Sequence, residues 1–164
     1  MRVWICAAIV AAAALVSSAA QAADQGLVRI TGAKQGAITG AGIQAIDFHY
    51  SVTSPTDAAS GLPTGKRQQK PVTVTLPWSA AAPQLFEAAV QNETLTSVVF
   101  TNTGGARFSV ELTNARIADF QISDANGKEP GIDPVVTISL TFQKITISDV
   151  TGGKTAADDW EARQ

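Results

Sequence analysis

The sequence predicts a mainly β fold, a compact antiparallel β-barrel of two packed sheets with one flanking α-helix. Three observations lead there. Short apolar-alternating segments recur along the chain with turn-forming residues between them. The stretch KPVTVTLPWSAAAPQLFEAAVQNETL (70–95) changes period once, from two to about 3.6. In VVTISLTFQKITIS (135–148), finally, the apolar side swaps partway along the strand.

The chain has 164 residues, which suits one domain with a full core. Its first 22 residues read as a secretory signal peptide. Arg2 supplies the positive start, residues 3–16 an apolar run, and Ala20-Gln21-Ala22 the small residues before a cut ahead of Ala23. The run falls short of the roughly 20 apolar residues that span a bilayer, so no stable membrane anchor is expected. Cleavage removes Cys6, the single cysteine, leaving no disulfide, thiolate metal site or thiol nucleophile. It also removes one of the 12 basic residues, so 11 oppose 14 acidic ones and the formal charge becomes −3. With no basic patch beyond GKRQQK (65–70), nucleic acid is excluded as a partner. The expected organisation is a leader (1–22), a barrel domain (23–150) and a C-terminal tail (151–164), in an exported protein, periplasmic or secreted.

Strands are expected at 27–31, 43–52, 71–76, 95–101, 107–113, 116–123 and 135–148. Glycines 36, 40 and 42, Gly104-Gly105 and DANGKEPGIDP (124–134) are where the chain can reverse. In the second strand Ile46, Phe48, Tyr50 and Val52 alternate with Asp47, His49 and Ser51, giving one core face. Leu85, Phe86, Ala89 and Val90 form the apolar stripe of a short helix starting at Pro83, with Phe86 as its expected anchor. No capping side chain is evident, since Ala82 is a poor cap and Ser79 would place Pro83 inside the helix. The phase swap between Phe142 and Ile145 requires a bulge near Lys144 or a strand passing from one sheet's core to another's. Residues 53–70 form a long Ser/Thr/Gly/Pro-rich connection, of a length that is usually functional or disordered.

Chemistry is sparse. His49, the one histidine, faces away from the core and has no G-x-S-x-G turn to serve, so it reads as an exposed strand residue and no catalytic residue is assigned. Asp124, Asn126, Glu129 and Asp133 lack EF-hand spacing and read as turn residues, so no metal is expected. No phosphate-binding glycine loop or other cofactor motif occurs. Trp78 and Trp160 lie outside the strand and helix patterns, where packing and an interface both remain open.

The order of elements resembles the Hcp family, the tube proteins of bacterial type VI secretion. The resemblance rests on VRITGAKQG (28–36), FHYSV (48–52), the long loop, KPVTVTLP (70–77) leading to APQLFEAAVQNETL (82–95), SLTFQKITI (139–147) and the tail TGGKTAADDWEARQ (151–164). It implies an Hcp-like barrel braced by the helix and a non-enzymatic role. Six copies would close into a ring whose lumen can carry effector proteins, and rings would stack into a tube. The long loop would reach the next ring, making Pro55, Leu62, Lys66 and Arg67 candidate stacking residues. Ala82, Thr146 and Ile147 depart from common family residues, and the export signal departs from a tube assembled in the cytoplasm. A monomeric secreted binding module on the same barrel is the competing expectation; an enzyme is the weakest.

Overall fold

A computed structural model describes residues 26–102, 104, 107–124 and 134–160. The leader, with Ala22 and Ala23, and most of the 124–134 turn lie outside them. The elements, in chain order, are β1 (Gly26–Gly32), β2 (Gly36–Ala37), β3 (Ile43–Gln44), β4 (Asp47–His49), β5 (Val52–Thr53), β6 (Gln68–Gln69) and β7 (Val72–Pro77). Then come α1 (Ala82–Val90), β8 (Leu95–Asn102), β9 (Phe108–Ser123), β10 (Val135–Thr141), β11 (Lys144–Asp149) and β12 (Lys154–Asp159).

All named strand pairs are antiparallel. One sheet holds β1 with β2 and β3 beside it, then β8, the first half of β9, β11 and β12. The other holds the second half of β9, then β10, β7 and β4. The two segments expected around Asn114 are therefore one strand of 16 residues that serves both sheets. Alternation puts Val28, Ile30, Val98, Leu112 and Ile145 of one sheet against Val72, Val74, Leu76, Ile138 and Leu140 of the other, all buried.

The phase swap near Phe142 is a change of sheet. β10 pairs with residues 116–123 of β9, whereas β11 pairs with residues 108–113. At the corner Asn114 adopts a positive φ of 50°, a conformation asparagine tolerates better than most residues, and its side-chain amide donates to Gln143 Oε1 at 2.7 Å.

The expected barrel is not closed by the strand ladders, whose paths end at β2 and β3 on one side and β4 on the other. The chain itself crosses the gap. The Ala45 amide donates to Gly26 O at 2.8 Å on one edge, and the next amide, Ile46, donates to Thr75 O at 2.8 Å on the other. This crossing shifts the inward phase by one residue. Ala45 is buried while Ile46 is 60% exposed, and Phe48 and Tyr50 then turn toward the core. The single strand expected over 43–52 is accordingly three short ones, and Val52, at the base of a departing hairpin, is exposed.

Helix α1 packs on the core through Ala82, Leu85 and Ala88, with Leu85 at 1% exposure. The stripe is rotated from the expected one. Phe86 is 55% exposed and Val90 64%; Phe86 only rests edge-on against Phe120, ring centres 5.6 Å apart. Two small alanines let the helix sit close on the sheet, and that close approach selects the Leu85 side. Its start at Ala81 has no side-chain cap, with proline in the first turn. The far end closes with the Asn92 amide donating to Ala89 O at 3.2 Å and the Glu93 amide to Ala88 O at 2.9 Å. Asn92 takes φ 50°, so this is the paired-bond terminator usually built on glycine.

Candidate assembly surfaces

Residues 52–69 form an ordered hairpin. Val52 pairs with Gln69 and Thr53 with Gln68 at its base, and Thr56 bridges Pro63 further out. Its tip is braced from within. Asp57 Oδ1 accepts from the amides of Ala59 and Ser60 at 2.8 and 2.7 Å, and Gly61 turns the chain at φ 68°. Those two amides, with Ser60's first, hold the Asp57 carboxyl below its ordinary range.

The four candidate stacking residues divide in two. Leu62 is 65% exposed at the tip, and Lys66 is exposed with Pro55 half-buried beside it. Arg67 instead turns back to the body, where its guanidinium fork grips the Asp158 carboxylate of β12, Nε to Oδ2 at 2.6 Å and Nη2 to Oδ1. Gln69 Nε2 donates to the same carboxylate. Trp160, 47% exposed, shares a cleft with Pro55, Pro63 and Lys66 at the hairpin's root. Sequence reading missed Asp158, because its partners stand 91 and 89 positions away. The acidic pair in TAADDW was the available signal.

A second surface is the outer face of the β9–β10–β7–β4 sheet. The register sets Thr137 against Thr75 and Ser139 against Thr73, and the two threonine hydroxyls at 75 and 137 share a 3.2 Å hydrogen bond. Charged side chains stand to the sides, Asp47 on β4 and Arg116 and Asp119 on β9. His49 is exposed at this edge, as expected of a strand residue pointing away from the core. Among the described residues no group of three or more His, Cys, Asp or Glu is arranged to hold a metal.

Near the body's other end, Glu93 fastens the β1–β2 turn. Its Oε1 accepts from the amides of Lys34 at 2.6 Å and Gln35 at 3.0 Å, and its Oε2 from Gln35 Nε2 at 3.0 Å. A Cβ at residue 32 would stand 2.4 Å from Oε1, which is why GAKQG opens with glycine. Burial pushes the Glu93 carboxyl up, but the two amides, the Gln35 side chain and the Lys34 charge outweigh it and leave it below its ordinary value.

The family described as "Type VI secretion system effector, Hcp" matches residues 22–148. The chain belongs to the Hcp family of type VI secretion tube and effector proteins. A curated relative, the "Major exported protein" of Pseudomonas aeruginosa, is 29% identical over 160 residues, 81% of this chain and 93% of that one. Among solved structures, one described as "Crystal structure of Hcp protein" superposes with a TM-score of 0.74 at 25% identity, covering 84% of this chain and 98% of its own. "Secreted protein Hcp3 from Pseudomonas aeruginosa" superposes with a TM-score of 0.66 at 24% identity, covering 83% and 97%, and shows the shared Hcp fold. The family match runs from β1 into β11 and ends one residue before that strand does.

Proposed function

We propose that the mature chain is a structural tube subunit that closes into a ring of six, that rings stack through the 52–69 hairpin, and that the lumen carries effector proteins. The observation that carries this is the hydroxyl stripe of Thr73, Thr75, Thr137 and Ser139. It crosses an outer sheet face with charge only at its margins. The four side chains are half-buried on two interior strands, and because charged residues are depleted at the core of an interface, a face of small uncharged side chains suits coverage by a neighbour. Contact between two different surfaces of identical subunits either closes into a ring or runs on as a filament. Family membership favours the ring, and the self-braced hairpin supplies an arm for stacking.

Light scattering on the purified mature protein is expected to give a mass several times that of one chain. A purely monomeric species at high concentration would instead favour a secreted binding module. Replacing residues 54–66 with a short Gly-Ser linker is expected to leave rings intact and remove stacked rings from electron micrographs. Stacks that persist would take the stacking role away from the hairpin.

The export route belongs to the same reading: a leader cleaved after Ala22, delivering the protein to the periplasm or the medium. Its support is the layout of residues 1–22, together with a family match that starts at residue 22. Intact mass of protein from the native host is expected to correspond to a chain beginning at Ala23; a chain retaining Met1 rules the leader out.

A further inference from the structure

We infer that β12 is a strap whose docking sets the orientation and order of the hairpin, with Asp158 as its buckle. The hairpin cannot hold its direction alone. Its root has only two ladder pairs, and a two-stranded ribbon is marginally stable in water. Both Arg67 and Gln69 lie on the returning arm, and both close on the one carboxylate of Asp158. The Arg67 and Asp158 side chains keep 32% and 22% exposure, so the pair is sheltered from full screening. Gln69 Oε1 has no hydrogen-bond partner among the described residues, so it is Nε2, on Asp158, that fastens this side chain.

The strap itself is built to detach. Among the described residues β12 pairs with β11 alone, and Lys154, Thr155, Ala156 and Ala157 are all exposed. Lifting it removes no residue from the core cluster. What lifting removes is Asp158, and with it the tie between the body and the hairpin. Strand docking at the C-terminal end and hairpin order are thus two readouts of one equilibrium. The consequence for stacking rests on the reading of the hairpin as the stacking arm; the coupling itself does not.

Hydrogen exchange on the purified full mature chain tests the strap. In Asp158→Asn, amides of residues 52–69 are expected to exchange about tenfold faster, the loss of one charge-assisted contact, while β7, β8 and β10 keep their protection. Arg67→Gln, approached from the hairpin side, is expected to do the same, and the double variant no more than either single one. Unchanged exchange in both single variants, or effects that multiply in the double, overturns the strap. Electron micrographs of Asp158→Asn separate the two readings. Rings that persist with fewer stacks support the strap's role in assembly, whereas rings with undiminished stacks remove it. If neither wild type nor variant forms rings, the assembly reading fails, and the exchange result still decides the strap.

Discussion

Leu85→Ala is expected to cost about 3 kcal/mol of unfolding free energy, the transfer term plus the cavity left under a helix already packed through alanines. Leu85 is 1% exposed and has Ala82 and Ala88 as its buried helix neighbours, so little can collapse into the space. Phe86→Ala, one residue on, is expected to cost only about 1 kcal/mol, chiefly the edge contact with Phe120. Urea unfolding midpoints of the two variants make the comparison direct. A larger loss at Phe86 than at Leu85 would mean that the helix is rotated from the orientation described. If Phe86 and Val90 are covered by a neighbouring subunit, Phe86→Ala should lower assembled mass more than it lowers the stability of the single chain.

Glu93→Ala is expected to destabilise by about 3 kcal/mol, because it removes a charged acceptor that three donors share. Glu93→Gln keeps the shape without the charge and separates the two contributions. The Glu93 carboxyl has a lower pKa folded than unfolded, so the charge contributes stability that is full above the ordinary value of 4.5. That contribution is lost as pH falls through the lower folded value. The stability gap between wild type and Glu93→Gln should therefore be largest near neutral pH and narrow in acid below the ordinary carboxylate range. A gap unchanged down to pH 3 would show that the turn amides do not depend on the charge.

The proposed leader and the proposed assembly bear on each other. A tube assembled before export would have no use for a cleaved leader, so if both proposals hold, the protein assembles after export or uses the Hcp body for another purpose. The N-terminal mass and the light-scattering mass, taken on the same preparation, decide whether ring and cleaved leader coexist.

Much of the fold was legible because its signals are local. The alternation of Val72, Val74 and Leu76 depends only on strand geometry, and all three are buried. The period change after Pro77 marked the helix, and the swap beyond Phe142 marked a corner, because one face of any strand must meet a core. The family itself was legible in the order of VRITGAKQG, the long loop, APQLFEAAVQNETL and SLTFQKITI.

What the sequence left open depends on partners distant in the chain. Leu85 and Phe86 are adjacent and both apolar, and their helix offers either as an anchor; only the surface it meets, approached closely through Ala82 and Ala88, chose Leu85. Ile46 alternates in phase with Phe48, yet the crossing between Gly26 and Thr75 turns it outward, because two sheet edges had to be satisfied by consecutive amides. Arg67 was expected among the stacking residues of the long loop, and folding instead brings Asp158 to it across 91 positions. Local periodicity determined which elements form and which face of a strand is apolar. Tertiary structure decided the rotation of the helix, the two corners between sheets and the tie that holds the hairpin, since each is a choice among locally equivalent states settled by a contact that no short window of sequence contains.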